Sequence, residues 1–134
     1  MEINKEQLSS DQKKQYRSML FRYLDGFAIC TTVAALKKHG ILEHLQNEKS
    51  ILLSKCVSRF SANEGSLNVG LRLLCSQGWL VRELIGINDI QYSVPSIGKE
   101  MMKAAELYEQ AALLLPCFVN IRSKLISNHV DENL

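Results

Sequence analysis

The stretch SLNVGLRLLCSQGWLV, residues 66–81, decides the fold. At about 100° per residue, Gly70, Leu71 and Leu74 fall within about 60° of Leu67 and form one apolar face of a helix. The opposite side carries Asn68, Val69, Arg72, Leu73 and Ser76. Gly78 stands where the helix should stop, and Trp79 opens a β-prone segment. A helix of this kind is the third element of a helix-turn-helix unit, and it lies either in a DNA groove or against protein.

The neighbouring segments extend that reading. Ser61 and Glu64 have capping-box spacing, which predicts a helix over about 62–77. Before it, ILLSKCVSRF (51–60) reads as a short helix with Leu52, Cys56, Val57 and Phe60 on one face. After it, WLVRELIGINDIQYSV (79–94) reads as two strands around a loop near 87–89, a candidate wing. A long helix precedes the unit: Ser9, Ser10 and Asp11 offer N-caps, and Lys37, Lys38 and His39 lead to a stop at Gly40. Asp25 and Gly26 mark a candidate break in it. A last helix over about 99–126 places Met101, Ala105, Tyr108 and Ala112 on one side, with Pro116 expected to kink or end it. The predicted fold is mainly α: a winged helix-turn-helix with a small β-hairpin and additional N- and C-terminal helices. It forms one domain over 1–134, with its core over about 20–105 and frayed ends.

Charge argues against nucleic acid as a partner. Sixteen Lys and Arg face fourteen Asp and Glu, a net of +2 over 134 residues, far from the basic field of a typical nucleic-acid binder. Within 61–93, two cations (Arg72, Arg82) meet three anions (Glu64, Glu83, Asp89), and the wing itself carries Asp89. Phosphate neutralisation supplies most DNA affinity, so Val69 and Leu73 are expected to meet protein. If the segment did read DNA, Asn68 and Arg72 would be its base contacts.

Residues 27–36 carry no charge, so the first helix cannot present one apolar stripe and one charged face. This predicts burial by its own domain and by a second copy, a homodimer whose interface is built chiefly by residues 27–36, including Phe27, Ile29, Val33 and Leu36, with the helix over 101–115 as a further candidate part. The longest apolar run, AALLLPCFV, is far shorter than the ~20 residues that span a bilayer. The N-terminus lacks the basic start and apolar core of a secretory signal. A cytoplasmic protein without a membrane partner is the expectation. Cys30, Cys56, Cys75 and Cys117 are widely spaced with apolar neighbours, as free buried thiols are. His39 and His44 are separated by Gly40, and His129 lies in a polar tail, so no metal site is expected.

Three segments together, YLDGFAICTTVAALKKHGILEHL, LLSKCVSRFSANEGSLNVGLRLLCSQGWLV and QYSVPSIGKEMM, resemble the N-terminal winged-helix domain of S-adenosylmethionine-dependent small-molecule methyltransferases, the O-methyltransferase group and related polyketide-type enzymes. The resemblance covers about residues 20–105. It implies a dimerisation domain that also roofs the acceptor-substrate pocket, with Phe21, Tyr23, Phe27, Met101 and Met102 as the side chains nearest that pocket. It further implies a C-terminal Rossmann-like catalytic domain that binds S-adenosylmethionine. Neither is expected here, since Gly26, Gly40, Gly65, Gly70, Gly78, Gly86 and Gly98 never form a G-x-G turn. With no nucleophile elbow, zinc-protease motif or paired carboxylates, the chain is expected to hold no catalytic residue or cofactor, as part of a longer enzyme. Two other functions fit the same pattern: a winged-helix transcription regulator, and a docking or adaptor domain of a multienzyme synthase.

Overall fold

A computed structural model describes residues 7–125. His129, the expected frayed ends and the last residue of the predicted C-terminal helix lie outside the described residues. The chain opens with α1 (Ser10–Lys38), started by a capping box: the Ser9 hydroxyl accepts from the Gln12 N–H at 3.1 Å, and the Gln12 side chain accepts from the Ser9 N–H at 2.9 Å. The helix runs through Asp25 and Gly26 without a break, contrary to expectation. One glycine costs about 1 kcal/mol in a helix interior, less than the burial of Ile29, Val33 and Leu36 just beyond it returns. His39 caps the end, and Gly40, in the left-handed region at φ 79°, turns the chain directly into α2 (Ile41–Glu48).

Residues 50–52, expected to be helical, instead form strand β1 (Ser50–Leu52). It pairs antiparallel with β3 (Asp89–Ser93), placing Ile51 opposite Tyr92, and β3 pairs in turn with β2 (Val81–Ile85) in the order β1-β3-β2. The helix-turn-helix consists of α3 (Leu53–Phe60) and α4 (Glu64–Ser76). The cap of α4 is Asn63, whose side chain accepts from the Ser66 N–H at 2.9 Å. Ser61 sits in the left-handed region at φ 51° as the C-cap of α3, so the expected Ser61/Glu64 box does not form. The hairpin turns at 86–88 as predicted. The fold is therefore a winged helix with added terminal helices.

Leu67, Leu71 and Leu74 of α4 are buried with Val33, Leu36, Leu45, Cys56 and Tyr92. Gly70 lets α4 approach α1, since a Cβ there would sit 3.2 Å from Thr32 Cγ2. Trp79, 2% exposed, joins this core to the C-terminal helices. Its N–H donates to the Leu74 carbonyl at 3.0 Å, and its ring meets Tyr108 edge-on at 5.3 Å between centroids. A Cβ on Gly98 would lie 2.0 Å from the Trp79 carbonyl oxygen, so only glycine allows α5 (Ser96–Lys103) to dock there.

The expected single C-terminal helix is divided at Ala104 into α5 and α6 (Ala105–Val119), followed by the short α7 (Ile121–Lys124). Pro116 lies inside α6, which ends one turn later. Helix α6 runs antiparallel to α1: Lys37 pairs with Glu109 at 3.2 Å, and Tyr23 shares a groove with Phe118 further along. Helix α1 is long and apolar enough to cross a bilayer by length and composition, contrary to the expectation from its short uninterrupted apolar runs. A core helix has the same property, and the second half of α1 supplies three core residues.

Trp79→Ala is expected to cost about 3–5 kcal/mol of stability. Gly98→Ala, which forces a methyl group onto the Trp79 carbonyl, should cost about 1–3 kcal/mol. Thermal melts of both variants check these values, and wild-type melting temperatures would contradict the junction described.

Candidate functional site

Helix α4 presents Val69, 70% exposed, together with Arg72 and the half-buried Leu73. Asn68 is not free to read a base, because its side-chain oxygen accepts a hydrogen bond from the hydroxyl of the buried Tyr92. Burial pushes the Tyr92 hydroxyl above its ordinary pKa, while the charges of Arg82 and Arg72 pull the other way. Cys75 responds alike, raised by burial and lowered by the same two arginines. The charges of Arg72 and Arg82 thus both act on Tyr92 and Cys75.

Asp89 does not act as a free wing charge. Its carboxylate accepts from the Ser54 hydroxyl, from the Ser54 N–H at 3.2 Å and from the Ile90 N–H at 2.9 Å. Ser54 lies in the first turn of α3, whose residue at the N-cap, Leu52, has no side-chain cap of its own. The hairpin thus lends α3 the anionic cap that its sequence lacks. These bonds, led by that from the Ser54 side chain, hold the Asp89 carboxyl below its usual pKa. The donors are neutral and the lowered pKa keeps the carboxylate ionised, so Asp89 retains its negative charge and the balance of two cations against three anions over 61–93 stands.

Two apolar depressions flank α1. A cavity of about 580 Å³ lies between α1 and α4, lined by Ala28, Thr32, Ala35, Val69, Gly70 and Leu73 among others. A groove of about 530 Å³ lies between α1 and α6, walled by Tyr23, Phe27, Leu114 and Phe118 with Gly26 and Ala111 between them. The residues before it on α1 extend as an arm in which every side chain over 10–24 is exposed, including Leu20, Phe21 and Leu24.

The residues singled out from sequence do not converge. Phe21, Tyr23 and Phe27 are exposed on α1, whereas Met102 is buried and Met101 packs half-buried on the core at the other end of the α1–α6 pair. Ile29, Val33 and Leu36, expected at a dimer interface, are buried in the chain's own core and leave no surface for a second copy. Of that set only Phe27 remains available. Leu113 and Leu114, within the candidate 101–115 stretch, are exposed, while Leu20, Leu24 and Phe118 are exposed apolar residues that the sequence reading did not single out. For Leu20 and Leu24 the signal was present in the failure of α1 to show one apolar stripe. Of the four cysteines only Cys56 is buried, and Cys117 is exposed. His39 caps α1 while His44 of α2 meets Phe60 edge-on, so the two histidines belong to separate helices.

The family model of the AprA N-terminal domain matches residues 16–82. No significant relative was found among curated proteins. Among solved structures, the chain is similar to the YusO protein from Bacillus subtilis, with 14% identity, 88% of this chain and 97% of that one covered, and a TM-score of 0.45. It is also similar to AbsC, a MarR family transcriptional regulator from Streptomyces coelicolor, with 12% identity, 90% and 93% covered, and a TM-score of 0.45. A third is overoxidized AbfR bound to DNA, with 18% identity, 87% and 97% covered, and a TM-score of 0.44.

These findings overturn the methyltransferase resemblance. The matching model is that of the AprA N-terminal domain, not of a methyltransferase dimerisation domain. The substrate-lid role, the S-adenosylmethionine association and the C-terminal catalytic domain lose their support with it. The physical reason lies in the motifs themselves. The alanine-rich helix, the turn at Gly40, the leucines of α4, Gly78 and Trp79 each serve the packing of a winged helix, and so identify a fold without a reaction.

Because the folded Asp89 carboxyl titrates below its unfolded value, its bonds stabilise the protein above the ordinary carboxylate range. That contribution is lost as pH falls through this range towards the folded pKa. Asp89→Asn should therefore lower the melting temperature at pH 7 and flatten its decline below about pH 5. Superimposable melting profiles across pH would show that the carboxylate is not engaged.

Proposed function

The chain belongs to the AprA N-terminal domain family, and we propose that it serves as a homodimerising assembly domain, with a second copy covering the α1–α6 face. The observation that carries this reading is the exposed arm of α1 beside an open apolar groove. A helical extension of about fifteen residues is marginal by itself in water, and this one carries Leu20, Phe21 and Leu24 uncovered. Phe27, Leu114 and Phe118 continue the apolar surface across to α6.

A second copy fits this surface because each chain owns both features. A two-fold axis brings each arm to the other's groove, a self-complementary arrangement that closes without leaving a sticky edge. Full burial of such a side chain is worth about 1.5–3 kcal/mol. Twelve of them in a dimer, half buried, contribute about 9–18 kcal/mol, against an association cost of about 4–15 kcal/mol. A cytoplasmic location belongs to the same reading, supported by four free thiols that a reducing compartment preserves.

A second reading, DNA binding by the winged helix, is favoured by one observation: Arg72 of α4 and Arg82 of β2 are both exposed cations. Gel retardation of duplex DNA with a steep salt dependence, weakened by Arg72→Ala, would support it. A lack of retardation at low salt would end it.

Sedimentation equilibrium is expected to give twice the 15.2 kDa chain mass. Leu20→Asp combined with Phe27→Asp should weaken the dimer at least ~100-fold, equivalent to about 2.8 kcal/mol, while circular dichroism remains helical. A monomer at all concentrations would overturn the assembly reading.

A further inference from the structure

We infer that the arm of α1, residues 10–24, docks on an anionic membrane surface, with Lys13, Lys14, Arg17 and Arg22 at the lipid headgroups and its apolar stripe at the acyl boundary. This goes beyond the dimer reading and does not rest on it. The charge of the chain is segregated. Residues 12–24 hold these four cations and no Asp or Glu, which leaves twelve cations against fourteen anions elsewhere. A net charge of +2 therefore hides one basic segment attached to a slightly acidic remainder. Among the described residues none of the four cations is in an ion pair, and every side chain of the arm is exposed.

The apolar residues of the arm share a side. At about 100° per residue, Tyr16, Leu20, Tyr23 and Phe27 fall within about 60° of one another, bordered by Met19 and Leu24. These six are between 36% and 63% exposed. Arg17 flanks the stripe on one edge and Arg22 on the other, and Lys13 lies one turn before Tyr16. Long cationic side chains so placed can lay their stems along lipid while their charges stay with the phosphates. A basic helix with an uncovered apolar stripe lies in the plane of the bilayer interface. Helix α1 has the length and composition to span a bilayer, but spanning would draw Ile29, Val33 and Leu36 out of the core. Lying on the surface leaves that core intact. Nucleic acid would neutralise the cations and leave the stripe in water, whereas anionic lipid meets both. Anionic lipids face the cytoplasm, the compartment proposed above. A bilayer and a second copy would compete for Leu20 and Leu24, so lipid should take up the monomer.

The experiment is flotation of the full chain with vesicles of phosphatidylcholine alone and of an equimolar phosphatidylcholine–phosphatidylserine mixture. The mixed vesicles should bind at least ~10-fold more tightly, less so as salt rises. Lys13→Gln, Lys14→Gln and Arg17→Gln together should weaken binding to mixed vesicles at least ~10-fold, with the helical circular dichroism and lipid-free sedimentation unchanged. Leu20→Asp should weaken it as well, which charge attraction to the cations alone does not require. Equal binding to both vesicles, no flotation with the mixed ones at low salt, or wild-type binding by the triple variant would overturn the inference. So would displacement from mixed vesicles by duplex DNA at equal phosphate concentration, which marks a surface for any polyanion. A chain that sediments as a monomer without lipid yet floats with mixed vesicles supports this docking and removes the dimer reading.

Discussion

The junction around Trp79 is the constraint on which the rest of the structure depends. The indole closes the end of α4, lies among the buried side chains of the winged-helix body and meets Tyr108 of α6 edge-on. Its own carbonyl forms the surface on which Gly98 rests. A residue that touches the body, the start of α5 and α6 fixes where the C-terminal helices leave the body. That determines whether α6 can lie along α1 at all, and with it the existence of an apolar face made by the two helices together.

Charge in this protein is used structurally as much as at the surface. The Asp89 carboxylate reaches from the start of β3 to the first turn of α3, so the wing is fastened to the helix-turn-helix. Asn68 is likewise committed to the Tyr92 hydroxyl. Polar residues that looked like surface features therefore hold the body together, while apolar residues that looked like core are left outside on α1 and α6. This inversion moves the functional interest from α4 to the paired terminal helices. A protein that exposes a contiguous apolar face of this kind is built to have it covered.

The methyltransferase resemblance failed for an instructive reason. Its strongest components were an uncharged, alanine-rich helix and the leucine-rich helix that ends in Gly78 and Trp79. In the structure Val33, Leu36, Leu67, Leu71, Leu74 and Trp79 are all core, and Gly78 is a turn residue at φ 81°. Packing of this sort is common to winged helices whatever they do. No residue in the resemblance was one that only a reaction would need.

Local periodicity and caps determined α1, α4, the hairpin and their order, because each depends on neighbours within a few residues: Ser9 with Gln12, Leu67 with Leu71 and Leu74, the turn with its flanking strands. Strand β1 escaped, since Ile51 acquires its conformation from Tyr92, forty-one positions along the chain, and three residues have no period of their own. The same holds for the cap that Asp89 gives α3. Which apolar residues of α1 face inward was also beyond the sequence. Ile29 and Phe27 are two positions apart and equally hydrophobic by composition, yet only the placement of α2, α4 and α6 buries one and leaves the other half exposed. The amino-acid order specified helices and strands through short-range hydrogen bonding; only three-dimensional packing decided which surfaces remained to be shared with another molecule.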